Sequence, residues 1–179
     1  GSEMCIRDRY MDERFKPAFE MELDAMRSVK YDYGLDNLQL MVPFCRTPEE
    51  GSLVTGLLNE KGVGPASGTD LFVMVELPSN VIEADRFIEM MDLSGGSIGS
   101  NDLVQTVYAV SRDDLEGYQN PIDARSPSVK AMIRDIVGKF NSKGMEIGIC
   151  GQAPSDFPDE FPAFLVDCGI TSISVTPDT

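Results

Sequence analysis

The sequence predicts a parallel α/β fold. Three observations carry that prediction. Short apolar runs alternate with capped or amphipathic helical segments from residue 38 onward. Polar residues, Arg46, Glu76, Asn101, Asp102 and Cys150, fall just after the ends of those runs. The 179 residues, 42% hydrophobic and 25% charged, have the length and composition of one soluble domain with a real core. A doubly wound sheet and a (β/α)8 barrel both fit this alternation. Five strands are expected, three short of a closed barrel, in a chain well under the ~250 residues typical of one. The residues alone therefore leave two architectures: an open sheet, or a barrel whose first three units lie outside this sequence.

The elements follow in order. Residues 1–9 share no pattern with the rest and read as a non-native or disordered leader. Phe15, Phe19, Leu23, Met26 and Val29 recur at helical spacing, and Gly34 ends that helix. Residues 38–44 (LQLMVPF) are the first strand, with Pro43 near its end, where a missing N–H costs least. Thr47-Pro48-Glu49-Glu50 is a helix start, with a cap, a proline at the first position and acids in the first turn. Residues 71–77 (LFVMVEL) are a near-continuous apolar run, as expected of a strand buried on both faces. Pro78-Ser79-Asn80 opens a helix reaching about Met91.

The third strand is residues 94–99, followed by a helix over 103–110. Residues 111–127 are polar and rich in turn formers, a long excursion of the kind that is usually functional or mobile. Val129, Met132, Ile133, Ile136, Val137 and Phe140 share one helix face, and Gly144 ends that helix. Residues 146–150 (EIGIC) are the fourth strand, 151–158 a loop, 160–168 a helix and 171–175 (TSISV) the fifth strand.

Net charge of −15 argues against nucleic acid or an anionic membrane as a partner. No apolar stretch is long enough to span a bilayer, and no signal peptide is evident. The four cysteines are scattered with no CxxC pair, which fits a reduced, cytoplasmic protein. The chain contains no histidine, which excludes Ser-His and Cys-His mechanisms and histidine-ligated metals within it.

Glu76 ends an otherwise apolar strand, where a carboxylate is costly unless paired, metal-bound or at an edge; its plainer reading is as a cap for the next helix. Asn101 and Asp102 stand where a helix begins and read either as its cap or as an amide and a carboxylate at a ligand-binding corner. Glu76 and Asp102 occupy equivalent positions in consecutive units. Adjacent strands lie roughly 5 Å apart, so two such carboxylates can share one cation. A carboxylate pair with open positions suits Mg²⁺. Cys150, between Gly148 and Gly151, sits at the same level; a thiol with a pKa near 8.5 both gives and takes protons near neutrality. Buried cysteines are ordinarily inert, and that reading serves for Cys45 and Cys168. Arg112 is either a solvated loop residue or a clamp on a phosphate or carboxylate. Glu76, Asp102 and Cys150 are expected to converge on one cavity.

Five segments carry a family resemblance: MVPFCRTPEEG (41–51), VMVELPSNVIEAD (73–85), SIGSNDLVQTVYAVSRD (97–113), GICGQAPSDFP (148–158) and GITSISVTPDT (169–179). From about Tyr10 onward the chain resembles the phosphoenolpyruvate (PEP)-utilising enzymes, most closely their PEP synthase (pyruvate, water dikinase) branch. Pyruvate phosphate dikinase and phosphotransferase-system Enzyme I share the Glu, Asn-Asp and Cys positions. The contexts around Asn80 and Gln152–Asp156 are more like the synthases. Thr176 stands where that pattern usually has Asn, and Phe157 where it often has His.

The resemblance implies a (β/α)8 TIM barrel of which residues 10–179 supply about five β/α units, strands four to eight, of the PEP/pyruvate-binding domain. It implies Mg²⁺ on Glu76 and Asp102, Asn101 on the phosphoryl group, Arg112 neutralising phosphate charge, and Cys150 exchanging the proton at C3 of pyruvate or its enolate. The implied reaction of the parent enzyme converts ATP, pyruvate and water to AMP, PEP and phosphate. The implied partners are pyruvate/PEP and the phosphohistidine swivel and ATP-binding domains of a longer chain. Without histidine, this segment alone is expected to be inactive. A non-catalytic PEP-binding subunit is the reading from another class. Exposed sheet edges would invite self-association, a homodimer among its forms.

Overall fold

A computed structural model of the chain describes residues 14–111 and 122–177. The leader expected over residues 1–9 lies outside these, as does Arg112. The elements are α1 (Lys16–Tyr31), β1 (Gln39–Val42), α2 (Pro48–Glu60), β2 (Asp70–Val75), α3 (Pro78–Ile82), α4 (Ala84–Met91), β3 (Gly95–Gly99), α5 (Ser100–Tyr108), α6 (Pro127–Ser142), β4 (Glu146–Cys150), α7 (Ala153–Asp156), α8 (Phe161–Cys168) and β5 (Ser172–Ile173). A single 3₁₀ turn, Pro65–Ser67, precedes β2.

Local chemistry accounts for several boundaries. Thr47 is extended and its hydroxyl accepts the Glu50 N–H at 3.2 Å, with Pro48 at the first helical position, as the sequence predicts for α2. The helix expected from residue 78 to 91 is instead two, interrupted at Glu83. Val81, Ala84, Phe87 and Met91 are buried across the two helices. The loop expected at 151–158 contains the short helix α7.

All five strands are parallel and lie in sequence order, β1-β2-β3-β4-β5. Parallel crossovers are right-handed, so an order that never reverses carries every helix to the same side. That is the winding of a barrel; a doubly wound sheet needs a reversal point. The five units thus form part of a (β/α)8-type barrel.

Burial follows from this winding. Leu71, Val73 and Val75 of β2, Ile98 of β3, and Ile147 and Ile149 of β4 are buried against the helices. Phe72 and Met74, on the other face of β2, are only half-buried. The apolar run of β2 is therefore not buried on both faces, as its composition suggests. Helices cover one face, and the other is the face that a barrel turns inward. Phe140 of α6, with Ile133 and Ile136, and Phe161 and Leu165 of α8 complete the helical layer, each 0–1% exposed. No helix among the described residues is long and apolar enough to cross a membrane.

Surface charges tie α6 to α8: Lys130 Nζ lies 2.9 Å from Glu160 Oε1, and Arg125 Nη1 lies 3.7 Å from Glu160 Oε2. The Lys130 hydrogen bond and charge, aided by Arg125, hold the Glu160 carboxyl below its usual range. A depressed folded-state pKa stabilises the fold above the unfolded value near 4.5 and ceases to do so as pH falls through the folded value. The stability difference between wild type and Glu160→Gln is expected to be present at neutral pH and to vanish with acidification below that range, as measured by urea denaturation at stepped pH. Phe140→Ala is expected to destabilise the domain by about 3–5 kcal/mol through the cavity it leaves; an unchanged urea midpoint would contradict the packing described.

Candidate active-site rim

The register of the sheet builds the rim. Val75 pairs with Ile98 and Ile98 with Ile149; one residue on, Gly99 pairs with Cys150. Glu76 follows Val75 directly. Glu76, Gly99 and Cys150 thus form one row across three strands at their carboxyl ends. Side chains alternate along a strand, so this row belongs to the face that the helices leave uncovered. Glu76 is 3% exposed; Cys150 is half-buried.

The Glu76 carboxylate does not cap a helix. Its Oε1 accepts the backbone N–H of Phe44 at 2.8 Å, from the loop after β1. Phe44 has φ of 54°, a left-handed conformation costing a non-glycine residue about 1–2 kcal/mol. A Cβ at position 99 would lie 2.8 Å from Glu76 Oε2 and 3.1 Å from Glu76 Cβ, so glycine there is what lets the carboxylate lie over β3. Asn80 Oδ1 accepts the N–H of Glu76 at 3.2 Å and of Leu77 at 3.0 Å, while its Nδ2 donates to the Cys45 carbonyl at 2.7 Å.

Asn101 and Asp102 likewise do not cap α5. The helix starts one residue earlier, its cap position is Gly99, and no side chain caps it. Both residues sit in the first turn, which frees their side chains for other work. Asp102 Oδ1 accepts a hydrogen bond from Gln105 Nε2 at 3.0 Å. The Thr106 hydroxyl lies 2.9 Å from the carbonyl oxygens of both Glu76 and Asp102, so the two acidic residues are fastened at one point. Asn101 Oδ1 is 3.4 Å from the backbone N of Gln152 across the β4 corner. At that corner the Ser100 hydroxyl donates to the Cys150 carbonyl at 3.0 Å. Gly151 has φ of 113°, and a Cβ there would fall 2.2 Å from Ser100 Oγ, so the turn after Cys150 requires glycine.

Of three cavities lined by described residues, none collects Glu76, Asp102 and Cys150. One of about 140 Å³ takes in Asn101, Ser100, Gln105, Gln152 and Phe157. Phe157 is a platform for Arg125, whose guanidinium lies 3.7 Å from the ring centre. Thr176 donates its N–H to Ser155 Oγ at 3.0 Å. Arg46 pairs with Glu50 at 2.9 Å on the surface, as a helix-start residue. Burial pushes the Cys168 thiol up, in keeping with an inert cysteine; Cys45 is fully buried.

No group of three or more His, Cys, Asp or Glu side chains placed to hold a metal occurs among the described residues. The donors of the rim are two carboxylates and an amide oxygen. Such hard ligands suit Mg²⁺, which takes few protein groups and fills its octahedron with water or substrate oxygens. Sequence reasoning did not foresee roles for Asn80, Gln105, Thr106 or the Phe44 amide. Only Asn80 left a signal: a polar amide at the third position of a helix opening on proline, from which a side chain can reach back to the preceding N–H groups.

The family model described as PEP-utilising enzyme, PEP-binding domain, matches residues 6–179. The chain belongs to that family. The chain is 46% identical to the phosphoenolpyruvate synthase of Aquifex aeolicus strain VF5 over 172 residues, which are 96% of this chain and 20% of that protein. It is 44% identical to the synthase of Synechocystis sp. strain PCC 6803, with the same coverage, and 38% identical to that of Escherichia coli K12, covering 96% of this chain and 21% of that one. It thus spans about a fifth of the length of the curated relatives it matches. Among solved structures, an HpcH/Hpal aldolase/citrate lyase family protein from Burkholderia cenocepacia J2315 superposes with TM-score 0.55 at 17% identity, covering 78% of this chain and 58% of that one. A citrate lyase from Burkholderia xenovorans LB400 gives TM-score 0.58 at 13% identity, covering 78% and 45%. These two share its fold.

Gly99→Ala is expected to push the Glu76 carboxylate off β3 and cost about 1–3 kcal/mol by overpacking. Chemical denaturation measures the loss, and a wild-type midpoint would show that Glu76 does not depend on the gap.

Proposed function

We propose that this chain is the C-terminal part of the PEP/pyruvate-binding barrel of a phosphoenolpyruvate synthase, and that its rim carries enolisation and phosphoryl acceptance. The observation that supports this reading most is the row Glu76–Gly99–Cys150, with Asp102 fastened beside it through Thr106, in a chain with this family membership.

In the synthetic direction Cys150, as thiolate, takes a proton from C3 of pyruvate. The electron pair of that C–H bond becomes the enolate π bond, and the carbonyl oxygen gains negative charge. Glu76 and Asp102 are the residues that would hold Mg²⁺, which supplies positive charge where the enolate oxygen and the phosphoryl group meet. Asn101 would orient the phosphoryl group through its amide, and Arg112 would balance phosphate charge. The enolate oxygen then forms its bond to phosphorus as the P–N bond to a phosphohistidine breaks. That histidine must come from another domain, because this chain has none.

The test uses the full natural chain that contains this domain. Cys150→Ser is expected to slow exchange of the pyruvate C3 protons with deuterated solvent by at least about 100-fold, the usual worth of a positioned acid–base group. Proton NMR of the methyl group reads that rate directly. Exchange at the wild-type rate would remove Cys150 from the chemistry. Dependence of PEP formation on water, against dependence on inorganic phosphate or transfer to a carrier protein, separates the synthase reading from pyruvate phosphate dikinase and Enzyme I.

A further inference from the structure

We infer that Asn80 is a positioning residue for the Glu76 carboxylate, setting the aim with which it meets a divalent cation. This inference rests on the reading of Glu76 and Asp102 as a cation site. Asn80 is 2% exposed. Three hydrogen bonds join its amide to backbone: from the N–H groups of Glu76 and Leu77, and to the Cys45 carbonyl in the loop after β1. Two accept N–H groups at the end of β2, fixing the peptide from which the Glu76 side chain springs. The third reaches the Cys45 carbonyl, next to Phe44, whose N–H is held 2.8 Å from Glu76 Oε1.

One amide therefore locks the base of the carboxylate, through its oxygen, and the loop that meets its tip, through its nitrogen. An ordinary cap would satisfy only the N–H groups at the helix start. Asn80 also bridges two neighbouring units at the level of the rim. Groups that orient a metal-binding carboxylate from behind typically matter ten- to a hundred-fold to metal affinity.

The test measures Mn²⁺ binding by electron paramagnetic resonance, since Mn²⁺ favours the same oxygen ligands as Mg²⁺. It uses the full natural chain carrying this domain and counts only the site that Glu76→Gln abolishes. Asn80→Ala is expected to raise the Kd of that site ten- to a hundred-fold, at a temperature where circular dichroism shows the variant fully folded. A wild-type Kd in Asn80→Ala, with Glu76→Gln having lost the site, would overturn the role of Asn80 and leave the cation site standing. Unchanged Mn²⁺ binding in Glu76→Gln would overturn the cation site itself and the positioning role with it. A residue that served the fold alone would lower the melting temperature without moving the Kd.

Discussion

The hydrogen-bond register between β2, β3 and β4 is the constraint on which the rest of the molecule depends. Side chains alternate between the two faces of a strand, so a slip of one residue would send Glu76 and Cys150 into the helical layer and turn Ile98 and Ile149 outward. The isoleucines prevent that slip, because their burial is lost in any other pairing. The apolar layer beneath the helices therefore holds the polar row in place, though the two never meet. Packing and chemistry are set by the same ladder, read from opposite faces.

Within that frame the rim is organised by backbone groups more than by charges. Taking a carboxylate out of water is expensive, and the Glu76 carboxylate is met by an amide from a neighbouring loop. That loop adopts a left-handed residue at Phe44, a local cost borne where a binding group must be aimed. The first turn of α5 follows the same logic: with the cap position occupied by glycine, Asn101 and Asp102 are not consumed in satisfying helix N–H groups.

Much of this was legible in the residues. The alternation of apolar runs with capped helices located all five strands, and the Thr47-Pro48-Glu49-Glu50 start behaves as written. The choice between a barrel and a doubly wound sheet was not, because strand order is a long-range property; the family resemblance decided it. Strand β2 misled by composition, since a barrel interior and a helix-covered face demand equally apolar residues. Glu76 and Cys150 stood out as polar groups after apolar runs. The partners of Glu76 did not, because Phe44 lies 32 residues away and offers only an amide that every residue possesses. Asn101 and Asp102 admitted two readings, helix cap or ligand-binding corner, and the cap reading falls because the helix begins before them.

The sequential strand order also bears on how the chain folds. Every strand pairs only with its neighbours in sequence, so each ladder closes only over the helices between two consecutive strands. Such locally closed topologies reach their transition states faster than those that must join distant segments. The longest closure is between β3 and β4, which are separated by α5, the residues after it and α6. Closure entropy grows only logarithmically with length, so this joint is delayed modestly. It is also the joint that brings Gly99 and Cys150 together. The two halves of the rim thus meet across the longest loop between neighbouring strands.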